Sequence, residues 1–438
     1  MTGRTVCDNF AMEPFNIEST KSVIDRKFCE DLDLIDPLAA MRARFVLPDN
    51  KIYLDGNSLG ALPAKTAAAI ENAVTQQWGA NLIGAWNSAD WVNLPRTVGA
   101  KLAGLLGAQA DEVVVADSTS INVFKLLAGI LALPDIANNP KRNVIVSERG
   151  NFPTDLYMAE GVNAMLGGRF TLKLVEHDQI LEALDESTAV ALITQVDYCT
   201  GQCHDMAAIN HAATLAGTYV IWDLSHSAGA VPLKLNADGT EFAVGCGYKY
   251  LNGGPGAPAY LYVGTKWQTR LSTPLSGWFG HRHPFQFSTT YLPAENISRM
   301  LCGTPAVLAT VALRCGIETF EGVDMAVVRT KSLALTDLFG RLMVDHCGPY
   351  GFGCISPRVQ TLRGSQLSFA HEHAYEIMQA IIDKGVIGDF RQPNLVRFGF
   401  TPLYTRYVDC WDAVMVIREV MQTQAWQDPR YQDRNEVT

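Results

Sequence analysis

Short apolar runs rich in β-branched residues recur along the chain, and each is parted from the next by a stretch with helical spacing. Residues 112–116, 144–146, 171–175, 189–194 and 219–222 read as strands. Residues 63–78, 93–106 and about 121–131 read as helices, the first with Pro63 in its opening turn. Strands that are apolar throughout and alternate with helices must be covered on both faces. The chain is therefore expected to be an α/β protein built on a mostly parallel sheet. From about residue 310 the pattern changes to helices at 306–320 and 325–344, then strand, helix and strand at 366–369, 372–384 and 396–400, and a closing helix. That order predicts a smaller α+β domain. Residues 1 to about 30 are polar and weakly patterned and read as a loosely held extension, 33–45 has helical spacing, and 52–54 reads as a short strand. The expected division is 1–50 as an extension and helix packing with the small domain, 51–310 as the large domain and 311–438 as the small one.

Only 18% of the 438 residues are charged, against about 25% in an ordinary globular domain. More surface is hidden than usual, and a second subunit is one way to hide it. The 35 basic and 45 acidic residues leave a net charge of −10 with no basic stripe, so nucleic acid is not an expected partner. Ten cysteines are scattered without the regular spacing of a secreted framework, which points to a reduced, cytoplasmic setting. The N-terminal residues lack the apolar centre of a signal peptide, and the longest apolar run, 126–133, is stopped by Pro134. No membrane association is expected.

The chemistry concentrates between Val220 and Val263. The run Val220-Ile221-Trp222-Asp223 is a buried strand that delivers Asp223 at its carboxyl end, with His226 three residues on, and ligands of open α/β sheets bind at that edge. About twenty residues later, Lys249 stands between Tyr248 and Tyr250 and is followed by the glycine-rich bend 253–256. A Lys among apolar and small residues loses hydration and is pushed toward its neutral amine, the form that condenses with an aldehyde. An Asp on one strand and a Lys on the next element suit pyridoxal phosphate: the carboxylate keeps the pyridine nitrogen protonated while the Lys carries the aldehyde carbon. Taken singly, the Asp reads as a turn residue and the Lys as a surface residue; their conjunction carries the reading. Residues 116–122 join a strand to a helix and offer Ser118, Thr119 and Ser120 at a helix N-terminus, a seat for a phosphate. Residues 151–155 follow another strand and offer Phe152 and Asp155 to the cofactor ring.

The runs IYLDGNSLG (52–60), NFPTDLY (151–157), IWDLSHSAGAVP (221–232), GYKYLNGGPG (247–256), PLSGWFGH (274–281), LCGTPAV (301–307) and VRFGFTPLYTRY (396–407) resemble kynureninases of the bacterial type, from about residue 33 to the C-terminus. The resemblance implies a fold-type I pyridoxal phosphate enzyme with a seven-stranded sheet, hydrolysing L-kynurenine, and its 3-hydroxylated form as a second candidate, to the anthranilate and L-alanine in tryptophan catabolism. It implies that Lys249 binds the cofactor covalently, Asp223 pairs with its ring nitrogen, and His226 supports that Asp and the ring. Thr119, Ser120, Phe152, Asp155, Tyr248, Trp278 and Thr304 would also bind the cofactor, Trp278 and Thr304 from the partner subunit of a homodimer. Arg397 would bind the substrate α-carboxylate, a task suited to a guanidinium fork, and Ser58 and Trp86 would lie near the aryl end. The residue types at Ser58, Trp86 and Thr304 lean toward unsubstituted kynurenine. Tyr248, a phenol beside the Lys, is the expected proton-transfer partner for the later steps.

Two other readings compete. A cysteine desulfurase or aminotransferase shares the fold; a desulfurase needs a mobile nucleophilic thiol, and Cys354 is the tempting one. A serine hydrolase is suggested by Gly56-Asn57-Ser58-Leu59-Gly60, a G-x-S-x-G pattern, but that elbow requires a helix to begin at once. The run Cys199-Thr200-Gly201-Gln202-Cys203-His204 resembles a metal loop without a second pair at zinc spacing. His281-Arg282-His283 and His371-Glu372-His373 read as polar surface positions, with His281 retained as a site neighbour. No metal is expected.

Overall fold

A computed structural model describes residues 24–435. The chain divides into two compact units: one takes in the chain up to Ser58, Cys199–Gln202 and the chain from Val323 onward, the other Leu59–Tyr198 and Cys203–Gly322.

The larger unit is built on a seven-stranded sheet of β1 (Val113–Val115), β2 (Val144–Glu148), β3 (Thr171–Val175), β4 (Thr188–Thr194), β5 (Tyr219–Asp223), β6 (Phe242–Gly245) and β7 (Tyr260–Val263), in the order β1-β7-β6-β5-β4-β2-β3. Strands β2 to β6 pair in parallel, and β7 runs antiparallel to both its neighbours. Every residue of β4, β5, β6 and β7 is buried, as the unbroken apolar runs require of strands covered on both faces. Among the helices are α1 (Leu94–Leu106), α2 (Thr119–Leu131), α3 (Pro153–Met165) and α4 (Met206–Ala216). Helix α2 begins where the Ser118 Oγ accepts from the Ile121 N–H at 3.4 Å, a local cap. It buries Val123, Leu126, Leu127 and Ile130 against the sheet at helical spacing. Each such side chain contributes about 1.5–3 kcal/mol. That burial fixes the N-terminus of α2 at the carboxyl edge of the sheet.

The smaller unit carries a sheet of β8 (Gly353–Cys354), β9 (Gln366–Ala370), β10 (Asp389–Arg391) and β11 (Leu395–Gly399) in the order β8-β9-β11-β10, all antiparallel. It packs with α5 (Met325–Cys347), α6 (Ala374–Asp383) and α7 (Tyr407–Gln422) around a core that includes Phe339, Phe369, Phe398 and Phe400.

Three expectations are corrected here. The helix expected at 63–78 begins only at Thr66, runs to Asn72 and continues to Ala80 as a π-helix. Leu62 and Pro63 lie in a two-residue strand instead, since proline restrains the residue before it to extended backbone. The helical spacing at 33–45 resolves into a helix at Arg26–Leu34 and a 3₁₀ turn at Ala39–Arg44; Pro37 between them has no N–H with which to continue a helix. The first helix lies partly within the stretch read as a loose extension, is capped by the Asp25 carboxylate, which accepts from the Phe28 N–H at 2.8 Å, and packs within the smaller unit. Residues 1–23 of that extension lie outside the described residues. No helix among the described residues is long and apolar enough to cross a membrane.

Candidate active site

The carboxyl edge of the large sheet opens into a cavity. Ser118, Thr119 and Ser120 reach it from the start of α2, Phe152 and Asp155 from the start of α3, Asp223 and His226 from the end of β5, and Tyr248 and Lys249 from the loop after β6. Residues spread from Ser118 to Lys249 thus meet because their strands are neighbours in the sheet. Lys249 Nζ lies 2.9 Å from His226 Nε2 and 5.8 Å from the ring centres of both Phe152 and Tyr248. Thr194, at the end of β4, and Tyr198 also line the cavity; they carry no local motif, and only the pairing of β4 with β5 brings them there.

The electrostatics identify what the cavity is built to receive. Asp223 is 4% exposed and accepts from the Ser225 N–H at 2.8 Å. Burial raises its carboxyl above the ordinary range, against the opposing charge of Lys249. Asp155 is 1% exposed, and burial together with the charge of Asp223 pushes it well above the usual carboxylate range, again opposed by Lys249. Its Oδ2 is buried without a hydrogen-bond partner. Two buried acids facing one lysine fit a ligand that brings a protonated ring nitrogen. At the other end, the first-turn N–H groups of α2 have no intrahelical acceptors, and Thr119 and Ser120 line the cavity beside them, which fits a phosphate. The residues present therefore fit pyridoxal phosphate.

Two devices hold this arrangement. Asn151 Oδ1 accepts from the Phe152 N–H at 2.7 Å and from Thr194 Oγ1 at 2.5 Å, and its amide donates to Ser147 Oγ at 3.1 Å. This ties the loop bearing Phe152 to β2 and β4. Gly60 donates its N–H to the Tyr248 carbonyl at 2.7 Å, and a Cβ placed there would lie 2.4 Å from the Lys249 carbonyl oxygen. Only glycine lets the two backbones approach so closely.

Trp86, Trp278 and Thr304 do not line the Lys249 cavity of their own chain. Trp86 and Trp278 both pack on Phe279, at ring separations of 5.9 and 4.5 Å. Thr304 lines a second cavity of the larger unit with Asp117, Gly256 and Cys302.

In the smaller unit, Arg397 on β11 faces Asp389 on β10 in register. Arg397 is 1% exposed; its Nε donates to Asp389 Oδ1 at 2.8 Å and its Nη2 to Oδ2 at 2.5 Å. Ser58 Oγ donates to Asp389 Oδ2 at 2.5 Å and accepts from Arg397 at 2.8 Å and Arg391 at 3.0 Å. Ser58 therefore sits with the arginine expected to bind a carboxylate. Burial opposes ionisation of Asp389, but the charge and hydrogen bonds of Arg397 hold its carboxyl below the ordinary value. Asp55 behaves oppositely: burial, then the charge of Asp389, push it up to about 7 despite Arg397. Asp55, Asp389 and Arg391 were not picked out by the sequence reading, because nothing local distinguishes them from surface charges.

The competing readings lose their support here. No helix follows Ser58 at once, the next beginning at Thr66, and its hydroxyl is engaged by a carboxylate and two arginines. Cys354 lies in β8, is 7% exposed, and has its thiol pushed up by burial, the opposite of a mobile thiolate nucleophile. The His281 and His371 positions expected at the surface are each 9% exposed. In both, Nδ1 accepts the N–H of the residue two further on, at 2.8 and 3.0 Å, and Nε2 meets a carbonyl oxygen. A neutral imidazole so satisfied is buried at little cost. His281 does not line the cavity.

The chain matches the family model "Kynureninase C-terminal domain" over residues 328–417. It is 50% identical over 408 residues to the kynureninase of Burkholderia mallei (strain SAVP1), covering 93% of this chain and 98% of that protein. It is 46% identical over 414 residues to the kynureninase of Pseudomonas fluorescens, covering 94% and 99%. Among solved structures, the apo cysteine desulfurase of Thermococcus onnurineus NA1 superposes with a TM-score of 0.74 at 17% identity, covering 88% of this chain and 98% of that one. A C-DES mutant with glycine covalently linked to its PLP cofactor superposes at 0.72 and 16% identity, covering 86% and 98%. At such identity these two share the fold alone.

Proposed function

The chain belongs to the kynureninase family, and on that premise we propose how its own residues carry the reaction. The activity is hydrolysis of L-kynurenine at the Cβ–Cγ bond, giving anthranilate and L-alanine, with pyridoxal phosphate as cofactor. When bound, the cofactor supplies an electron sink adjoining the substrate Cα. Lys249 Nζ would hold the cofactor and would take up the proton from the substrate Cα. His226, 2.9 Å away at Nε2, orients that amine. Asp223 would hold the proton on the ring nitrogen, with Asp155 and Phe152 beside the ring, and Thr119 and Ser120 at the start of α2 would hold the phosphate.

Arg397 binds the substrate α-carboxylate, and Asp389 fixes the plane of its guanidinium. Tyr248 Oη returns a proton to the carbon fragment after cleavage. Trp86 and Ser58 contribute to substrate binding, with unsubstituted kynurenine preferred over the 3-hydroxylated form; comparing kcat/KM for the two tests this, and equal values refute it.

The enzyme acts in the cytoplasm as a homodimer in which Trp278 and Thr304 complete the partner's site. Exposed apolar side chains of the larger unit, such as Trp78, Ile83 and Phe287, support a buried interface. Mixing inactive Lys249→Ala with Trp278→Ala is expected to restore activity in mixed dimers. A fully active monomer would refute it.

The observation that carries the reading is the convergence of Lys249, Asp223 and the N-terminus of α2 on one cavity. The direct test is absorption spectroscopy of the purified protein beside anthranilate release from kynurenine. A cofactor band that vanishes in Lys249→Ala together with turnover is expected. Turnover that survives in Lys249→Ala would sink the assignment, and full turnover in Tyr248→Phe would remove Tyr248 from it.

A further inference from the structure

Away from the Lys249 cavity, three side chains of the larger unit converge at the carboxyl ends of adjacent parallel strands. Glu148 is the last residue of β2, His177 lies two residues beyond β3, and His204 follows β4, its N–H donating to the Gln195 carbonyl at 2.9 Å. His177 Nδ1 is 2.9 Å and His204 Nε2 is 3.0 Å from the same oxygen, Glu148 Oε1. One ligand atom from each lies within 4.8 Å of the others. None of the three lines the catalytic cavity.

We propose that Glu148, His177 and His204 form a binding site for one divalent first-row cation of the zinc type. Two imidazoles and a carboxylate are a donor set that such ions take, with a fourth position left for water. Bonds of about 2.1 Å place neighbouring ligand atoms about 3.0–3.4 Å apart, close to the separations from Glu148. A second observation points the same way. The His204 side chain is 5% exposed, yet its Nε2 has no properly aligned hydrogen-bond partner despite lying 3.0 Å from Glu148. A buried ring nitrogen out of line for an N–H bond suits a lone pair directed at an ion. Access is from the His177 side, whose side chain is 26% exposed.

Binding requires one rearrangement. The two imidazoles are stacked at 3.7 Å between ring centres and 14° between planes, whereas a shared ion must lie in the plane of each ring. The rings must splay to about 5 Å, and the partly exposed His177 is the one with room to turn. Arg149, Gly150 and Asn151 connect Glu148 to Phe152, so the ion would brace the loop that carries the aromatic face of the cofactor site.

The test uses the holoenzyme, freed of metal with a chelator and titrated with Zn²⁺ by calorimetry, followed by zinc-edge X-ray absorption of the loaded protein. One equivalent per chain is expected, with a nitrogen and oxygen shell containing imidazole. His177→Ala is expected to weaken binding at least tenfold, and Glu148→Gln likewise; His177→Ala, at a partly exposed position, decides the matter should the buried Glu148 variant fail to fold. No binding to the wild-type protein, a shell containing sulfur, or undiminished affinity in folded His177→Ala overturns the site.

Discussion

Substituting Gly60 by alanine tests whether the position of Lys249 is set by one close backbone approach. A Cβ at Gly60 would lie 2.4 Å from the Lys249 carbonyl oxygen, 2.5 Å from Asn252 Oδ1 and 2.6 Å from Asn252 Cα. Ordinary contact requires about 3.4 Å, so the two segments must part by roughly 1 Å. The neighbours cannot yield cheaply, since two of the three atoms belong to the backbone. That backbone is pinned by the Gly60 N–H on the Tyr248 carbonyl, the Asn252 N–H on the Lys249 carbonyl at 2.9 Å and the Gly253 N–H on the Gly247 carbonyl at 2.9 Å. Overpacking of this kind costs about 1–3 kcal/mol of stability. A misplacement of about 1 Å at a catalytic group costs up to about 100-fold in rate. Gly60→Ala is therefore expected to fold with a lowered denaturant midpoint and to lose about ten- to a hundred-fold in kcat/KM, measured as anthranilate release, with weakened retention of pyridoxal phosphate by its absorption. Gly161→Ala is the control: it lies within α3 with nothing within 4 Å of the added carbon, so stability should rise by about 0.5–1 kcal/mol with turnover unchanged. Wild-type turnover and cofactor retention in Gly60→Ala would show that the reasoning is wrong.

Further outcomes follow from the charge clusters. Asp389→Asn removes the negative charge and one of the two oxygens that accept from Arg397 and leaves a buried guanidinium without its counter-charge, so KM for kynurenine is expected to rise about ten- to a hundred-fold with a smaller change in kcat; an unchanged KM would separate Asp389 from substrate binding. Asp55, raised to about 7, binds its proton more tightly in the folded state than in the unfolded one, where a carboxyl titrates near 3.9. Its contribution to stability is thus complete below about pH 4 and lost as the pH rises toward 7. Urea midpoints at pH 5 and pH 8 should fall further apart in the wild type than in Asp55→Asn, and an equal fall in both would count against it. For Asp155, raised well above its usual value by burial and by Asp223, replacement by Asn removes a carboxyl that must share the cavity with another acid. Asp155→Asn is expected to retain the cofactor less tightly while keeping a wild-type melting temperature in its absence, by dialysis and calorimetry; equal cofactor retention would remove Asp155 from the ring site.

Much of the active site was legible because its parts are announced locally. Asp223 ends an unbroken buried strand, Lys249 precedes a glycine-rich bend, and Ser118 to Ser120 stand between a strand and a capped helix. Each of these signals needs only a few consecutive residues, because strand ends and helix starts are decided by side-chain periodicity and capping chemistry. The burial of His281 and His371 was missed for the complementary reason. Their burial depends on an N–H donor two residues on and a carbonyl from elsewhere in the fold, and spacing alone cannot reveal the latter.

By itself the sequence determined the fold class, the family and many of the residues that line the Lys249 cavity, since these follow from local pattern and from long runs shared with relatives. Only the tertiary structure decided which charges meet. Asp389 and Arg397 are eight residues apart, yet they form an ion pair because β10 and β11 are antiparallel in a register that places them opposite each other. Glu148, His177 and His204 meet because β3, β2 and β4 lie side by side, an order that no chain-local signal encodes. Strand order and register are set by the burial of whole faces at once. A charge partner fixed by them stays invisible until the sheet is assembled.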